Sequence, residues 1–109
     1  MQDERKAFNE AMARDTNEMV EQIAEKWSGD EPMAFRCECA LPDCRETVRL
    51  TAEEYETVRA EGTRFVVVAE HVAPDVERVA GYIREYPLVE KTDPEAREIA
   101  QETDPRQPS

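Results

Sequence analysis

An amphipathic pattern occupies the first quarter of the chain. Between residues 3 and 27, apolar side chains recur every three or four positions, and neither proline nor glycine interrupts the run before Gly29. Such spacing predicts one long helix with an apolar stripe along one side. The stripe contains Phe8, Met12, Thr16, Met19, Ile23 and Trp27, and it is widened by Ala11, Val20 and Ala24.

This helix is about 37 Å long at about 1.5 Å per residue, which is more than a compact domain of this size needs. Two interpretations of the stripe stay open. In the first, the stripe packs against the domain that follows, and Trp27 closes the helix onto the core. In the second, the stripe binds another protein or a second copy of the chain. Its binding residues are then Phe8, Met12, Met19, Ile23 and Trp27.

A short linker at 28–32 leads into alternating apolar and polar residues. The alternation predicts a strand from Met33 to Cys37 and an antiparallel strand over Thr47–Leu50. The proline and aspartate at 42–43 supply the turn between them. Thr51 and Glu54 then form a capping box, in which each side chain can bond the other residue's backbone N–H. The helix that they begin is expected to end at 61, before a glycine.

The most β-prone stretch, from Arg64 to Ala69, is expected to be a central strand that delivers His71 at its end. Pro74 predicts a short helix over about 74–80. Pro87 divides the next apolar run, so residues 82–90 are expected to form a broken strand at a sheet edge. A last helix is predicted from 94 to 102, because Asp93 can cap it and Pro94 suits its first position.

These elements predict an α+β fold in three parts. The long N-terminal helix covers 1–28, and a zinc-stabilised domain covers 33–102. That domain contains a small, mostly antiparallel sheet and two or three short helices. Residues 103–109 are polar and contain prolines, which predicts a disordered tail.

Charge and hydropathy limit the classes of partner that this protein can bind. The formal net charge is −12, and acidic residues are spread along the chain. Because DNA and RNA are bound through basic surfaces, this composition argues against nucleic-acid binding through phosphate contacts. No apolar run reaches the length of a membrane span, and residues 1–6 do not begin a secretory signal. We therefore expect a cytoplasmic protein without a membrane partner.

The cysteines carry the strongest chemical signal. All three lie in Cys37-x-Cys39-x4-Cys44, and the only histidine, His71, follows after 26 intervening residues. Residues two apart in extended chain point to the same side, so Cys37 and Cys39 can face one ion. Three thiolates and one imidazole are an ordinary ligand set of structural zinc. An odd number of close cysteines also fits metal ligation better than a disulfide framework. The sequence thus predicts a zinc site that staples a small core.

Alternatives stay open at this site. The fourth ligand can be water at an open position, or a carboxylate from Glu38, Asp43, Glu46 or Glu70. The cysteines can be free thiols, or can hold an iron–sulfur cluster, although a fourth cysteine is missing. A catalytic zinc needs an open position and a nearby base. With one histidine, three glycines and no recognised catalytic motif, the chain offers little for an active site, so we expect no enzyme.

Several motifs occur together in this order. They are Phe35-x-Cys37-Glu38-Cys39-x4-Cys44, Leu50-Thr51-x2-Glu54-Tyr55-Glu56-x-Val58-Arg59, Arg64-Phe65-Val66-Val67 with His71, Leu88-Val89-Glu90-Lys91, and Asp104-Pro105-Arg106. Over about residues 33–106 the chain resembles a group of small bacterial proteins without an assigned activity. Members of that group usually carry glycine where this chain has Ala40. The resemblance implies a metal site and no particular reaction.

The function that these features favour is a non-enzymatic, zinc-binding adaptor or regulatory protein that acts through protein–protein contacts. The long helix or the acidic surface would provide the contact. A thiol- or zinc-responsive redox switch is the first alternative, and a zinc-dependent hydrolase is the second.

Overall fold

The computed structural model describes residues 2–27 and 29–106, and its architecture is α+β. The predicted fold class and the long first helix are confirmed. In chain order the elements are α1 Gln2–Trp27, β1 Met33–Arg36, β2 Thr47–Leu50, α2 Ala52–Val58, β3 Arg64–Val66, a 3-10 turn Ala69–His71, β4 Glu77–Ile83, β5 Tyr86–Lys91 and α3 Pro94–Glu102. None of the helices within the described ranges has the length and apolarity needed to cross a membrane.

The first two strands form an antiparallel hairpin, as their alternation predicts. Phe35 pairs with Val48, and Met33 pairs with Leu50. Phe35, Val48 and Leu50 are fully buried, while their neighbours in sequence face outward. The Phe35 ring stacks on Tyr55 of α2, with ring centroids 4.7 Å apart. The hairpin and α2 therefore share one apolar core.

The other three strands form an antiparallel sheet in the order β3-β5-β4. Two predictions are wrong here, because β3 lies at an edge and the strand that contains Pro87 lies in the middle. Proline is tolerated there because it sits next to the hairpin turn, opposite Tyr82. Its carbonyl still accepts a hydrogen bond from the Val67 N–H at 3.2 Å. The missing N–H of Pro87 thus costs one ladder bond at the end of the strand.

A strand also replaces the short helix predicted over 74–80. Only one turn forms there, as the N–H groups of Val76 and Glu77 both donate to the Ala73 carbonyl at 3.1 Å. From Glu77 onward the chain pairs with β5, and Val79 lies opposite Val89. The branched and aromatic residues of this segment favour a pleated surface, and sheet pairing overrides the local proline signal.

The predicted helix starts at Thr51 and at Asp93 are confirmed. The Thr51 hydroxyl accepts from the Glu54 N–H at 3.1 Å, and the Glu54 carboxylate accepts from the Thr51 N–H at 2.8 Å. Helix α2 ends at Val58, three residues earlier than predicted. At α3, the Asp93 side chain accepts from the N–H of Ala96 at 3.0 Å. Helix α3 ends at 102 as predicted.

Helix α1 packs on the domain with its polar side. Its buried charged and amide residues are Glu10, Arg14, Asn17 and Glu21. The exposed fractions of the stripe are 50% for Phe8, 64% for Met12, 61% for Met19, 51% for Ile23 and 77% for Trp27. The interpretation that places these side chains in the core is therefore wrong, and so is the closure of the core by Trp27. Of the residues at the margin of the stripe, Ala11 and Ala24 are buried, and Val20 is half-buried against the core.

Ionic contacts add to the apolar packing beneath α1. Buried Lys91 on β5 bonds the carboxylates of Glu10 and Glu77, and its Nζ lies 2.6 Å from Glu77. Arg14 is fully buried and donates to the carbonyls of Gly62 at 2.6 Å and Ala100 at 2.7 Å. Burial raises the pKa of Glu10 to about 7. Such paired charges specify how the helix sits on the domain, although the cost of removing them from water offsets much of their attraction.

Residues 103–106, the first part of the predicted disordered tail, contact the rest of the protein. Asp104 pairs with buried Arg59, and Arg106 donates to Glu18 and Glu21 of α1 at 2.8 Å. These contacts tie the chain back onto α1 and order the segment despite its polar composition. Residues 107–109 of the predicted tail lie outside the described residues.

Candidate metal centre

The end of the first hairpin positions two of the cysteines. Cys37 directly follows β1, and its N–H donates to the Glu46 carbonyl at 3.1 Å. The N–H of Glu38 donates to the Val66 carbonyl of β3 at 2.8 Å. Extended chain therefore continues past β1 and bridges the hairpin to the three-stranded sheet. In that conformation the Cys37 and Cys39 side chains share one side, as predicted.

A tight turn and a 3-10 turn supply the other two side chains. The Cys44 N–H donates to the Leu41 carbonyl at 3.2 Å, which folds the loop back toward the first two cysteines. His71 ends the 3-10 turn after β3, and its N–H donates to the Val68 carbonyl at 3.0 Å. Three separate segments of the chain thus converge at one end of the β3 strand.

The four candidate ligands lie together in the structure. One donor atom from each of Cys37, Cys39, Cys44 and His71 lies within 4.8 Å of all the others. The Nδ1 atom of His71 is 3.4 Å from the Cys44 sulfur and 3.6 Å from the Cys37 sulfur. These four side chains could hold a metal ion.

Hydrogen bonds around the sulfurs favour a negative charge on Cys39. The Val68 N–H donates to the Cys37 sulfur at 3.3 Å. A hydrogen bond from Cys37 lowers the pKa of Cys39 to about 5, and the Leu41 N–H contributes in the same direction. The same pairing, together with burial, raises the pKa of Cys37. A proton shared between two adjacent sulfurs is readily displaced by a cation, because metals bind the thiolate form.

Burial differs between the two halves of the site. Cys37 and Cys39 are buried in an apolar cluster with Phe65, Val67 and Val89. Cys44 and His71 are half-buried and line an open surface depression. One side of the centre is therefore part of the core, and the other side can be reached by small solutes.

The carboxylate alternatives are not in this group. Glu38 is fully buried and points to the opposite side of the chain from its cysteine neighbours. Its carboxylate accepts hydrogen bonds from the Tyr55 hydroxyl at 2.6 Å, from Asn17 at 3.0 Å and from the Val66 N–H at 3.1 Å. Burial raises its pKa. The exposed side chains of Asp43, Glu46 and Glu70 are also outside the cluster of four.

Sequence reasoning missed the role of Asn17. Its amide donates to the Arg36 carbonyl at 2.8 Å and to Glu38, and its oxygen accepts from the Arg36 N–H at 2.7 Å. Asn9, two turns earlier, donates to the Ala40 carbonyl between the cysteines at 3.0 Å. These amides fasten α1 to the backbone on both sides of Cys37 and Cys39. In the sequence, these two asparagines could have been found as part of the row of polar residues that recurs at helical spacing on the side of α1 opposite the stripe.

Comparison of the chain with protein-family models, with curated proteins and with solved structures found no match. The resemblance to a group of small bacterial proteins stays a prediction.

Proposed function

We propose that this protein is a non-enzymatic, zinc-binding adaptor or regulatory protein that acts through protein–protein contacts. The observation that carries the proposal is the orientation of α1, which buries ionic residues and exposes its apolar stripe. Five large apolar side chains in a row on the outside of a small domain exceed the scattered apolar residues of an ordinary surface. Contiguous patches of this kind are typical of binding sites for other proteins.

Zinc is the metal that the donor set favours. Three thiolates and one imidazole suit zinc better than calcium, magnesium or manganese, which prefer oxygen ligands. Zinc–sulfur bonds of about 2.3 Å and zinc–nitrogen bonds of about 2.0–2.1 Å in a tetrahedron place sulfur and nitrogen about 3.6 Å apart. The observed distances from His71 Nδ1 to two sulfurs, 3.4 and 3.6 Å, agree with that spacing.

The zinc would hold the interaction surface in place. It joins the end of the hairpin, the Cys44 turn and the segment after β3. Through Asn9 and Asn17, that junction is fastened to α1. Structural zinc sites contribute roughly 10–16 kcal/mol of apparent folding free energy, which is decisive for a core of this size.

The arrangement also argues against a hydrolase. Four protein ligands complete a tetrahedron and leave no position for a zinc-bound water. Glu38, which lies between Cys37 and Cys39 in sequence, is committed to Tyr55, Asn17 and Val66 and faces away from the sulfurs. This carboxylate is therefore not placed to act as a general base beside the metal.

Site-specific photo-crosslinking tests the adaptor role. A photoreactive amino acid replaces Met19 in the stripe or, as a matched control, Tyr82, an exposed residue on β4. In extract of cells that make the protein, we expect discrete adducts from position 19 and far fewer from position 82. A further Ile23→Asp change should suppress the adducts at position 19. Equal labelling from both positions, unaffected by Ile23→Asp, would contradict the proposal.

A thiol- and zinc-responsive switch is the second candidate. The observation that favours it is the half-buried position of Cys44 on the open depression. Hydrogen peroxide would oxidise the Cys44 thiolate to a sulfenic acid and release hydroxide. Attack by the Cys39 thiolate would then form a disulfide, release a second hydroxide and expel the metal. Mild peroxide should release zinc and reduce helicity, and reductant with zinc should restore both. Retention of zinc by peroxide-treated protein would exclude the switch.

A further inference from the structure

The spacing of the exposed stripe has a symmetry of its own. Its six successive members lie four, four, three, four and four positions apart, so the pattern is the same when it is read in either direction. The midpoint lies between Asn17 and Glu18. Positions 8 and 19, 12 and 23, and 16 and 27 are each 11 residues apart. An 11-residue repeat corresponds to about 3.67 residues per turn, which keeps the stripe on one side of a nearly straight helix.

We infer that the partner of the stripe is a second copy of this chain, whose α1 lies antiparallel across the first. A two-fold axis at the midpoint brings Phe8 opposite the partner's Trp27, Met12 opposite the partner's Ile23, and Thr16 opposite the partner's Met19. Two-fold interfaces require a patch that is complementary to itself, and a palindromic stripe meets that requirement. This inference rests on the proposed role of α1 as the contact surface.

The polar residue within the stripe is compatible with burial in such a pair. The Thr16 hydroxyl donates to the Met12 carbonyl of its own helix at 3.2 Å. It therefore needs no partner across the interface, and its methyl group can face the partner's Met19. A short side chain near the middle of the stripe also lets two helices approach closely.

The charges beside the stripe favour the antiparallel direction. Exposed Asp15 lies level with the partner's Val20 in that arrangement, and exposed Lys26 lies level with the partner's Asn9. In a parallel pair each charge would instead lie level with its own copy, Asp15 with Asp15 and Lys26 with Lys26. Like charges at the same height of a helix pair are destabilising. The body of the domain does not obstruct either direction, because it contacts the opposite side of α1 through Glu10, Arg14 and Asn17.

The area of the stripe is sufficient for a weak dimer. Its five large side chains are one half to three quarters exposed, and each exposes about 75–150 Å² if fully accessible side chains of this size present about 150–200 Å². Two copies would bury at most about 900–1,200 Å² from these residues alone, and the flanking residues bring the total to the lower end of specific interfaces. An association in the micromolar range is expected from such a surface.

A charge-complementation experiment tests both the association and its direction. The full, zinc-loaded chain is followed by sedimentation equilibrium from about 1 to about 100 µM, the range in which small interfaces associate. Met12→Lys and Ile23→Glu are each expected to weaken dimerisation at least tenfold, while Tyr82→Glu on β4 serves as the exposed control. Mixing the two stripe variants should restore a dimer, because the lysine introduced in one chain meets the glutamate introduced in the other only in the antiparallel arrangement. Native mass spectra of the mixture identify the mixed pair.

A wild-type chain that stays monomeric throughout this range would overturn the inference. So would a dimer whose mixed variants do not recover, since residue 12 would then not face residue 23. Circular dichroism melts of every variant exclude unfolding as the cause, because the changed positions are exposed. The same mass spectra report bound zinc. Loss of the metal contradicts the proposed zinc site, whereas a zinc-loaded monomer contradicts only the second copy as partner.

Discussion

At the scale of single residues, side chains of the extended segment 37–39 alternate between two sides, one for metal binding and one for the core. Cys37 and Cys39 face the candidate ion, and Glu38 between them faces the core. The shared side of the two cysteines could be predicted from their spacing. The fate of Glu38 could not, because its partners Asn17, Tyr55 and Val66 come from three distant elements.

A Glu38→Gln variant tests whether this side chain is structural. The amide would direct an N–H₂ group at one of three donors, so the free energy of unfolding should fall by about 1–3 kcal/mol. Denaturant unfolding measures the change, and Glu46→Gln, at an exposed position, should change stability little. Zinc stoichiometry should stay the same in both variants. Loss of zinc from Glu38→Gln without loss of stability would show that the carboxylate belongs to the metal site.

Glu10 makes stability depend on pH. Burial raises its pKa from 4.5 to about 7, beside Lys91, Glu77 and Cys39. The folded carboxyl thus holds its proton more tightly than the unfolded one. The stability that this preference contributes is complete below about pH 4.5 and is lost as the pH rises to about 7.

Glu10→Gln isolates that contribution. Between pH 4.5 and 7, the wild type should lose up to about 3 kcal/mol relative to the variant, since each pKa unit corresponds to about 1.4 kcal/mol. Thermal unfolding with saturating zinc at several pH values measures the difference. Parallel stability curves for the two proteins would mean that the Glu10 pKa is not raised in the folded state.

At the scale of elements, side-chain capping signals predict helix starts well, whereas features that depend on distant parts of the chain are not predicted. The capping box at Thr51 and the cap at Asp93 act within four residues, and both form. The order of the strands depends on partners far along the chain, so the sequence places Pro87 at an edge although β5 is central. The sequence leaves open which side of α1 faces the domain for the same reason. Helical periodicity distinguishes the two sides of a helix but does not show which side is buried. The buried side of α1 is the one whose glutamates pair with Lys91, Arg59 and Arg106.

Removal of the α2 cap tests the local part of this account. Thr51→Ala should lower the free energy of unfolding by about 1 kcal/mol, because the Glu54 N–H loses its acceptor. Thr57→Ala is the matched control on the same helix, where the residue is exposed. Chemical denaturation of both variants provides the comparison. Equal effects at positions 51 and 57 would indicate that the cap contributes nothing specific.

At the scale of the whole molecule, two apolar clusters share contacts with Val68, and the candidate metal centre belongs to the second of them. One lies between the hairpin and α2, and the other surrounds Phe65 and includes Cys37 and Cys39. Three cysteines within eight residues and a sole histidine were sufficient to predict which four side chains come together. The outward direction of the stripe was not predictable from its residues, because the same pattern also describes a helix packed on a core.

The most direct test of the account is the metal content of the untagged protein by native mass spectrometry, beside His71→Ala and the exposed neighbour control Glu70→Ala. The account predicts one zinc per chain in the wild type and in Glu70→Ala. In His71→Ala, zinc affinity should fall by more than about tenfold, since the loss of a ligand exceeds the effect of losing its outer-shell support. A wild-type chain without metal, or a His71→Ala variant that binds zinc as tightly as the wild type, would contradict the closed site of three cysteines and one histidine.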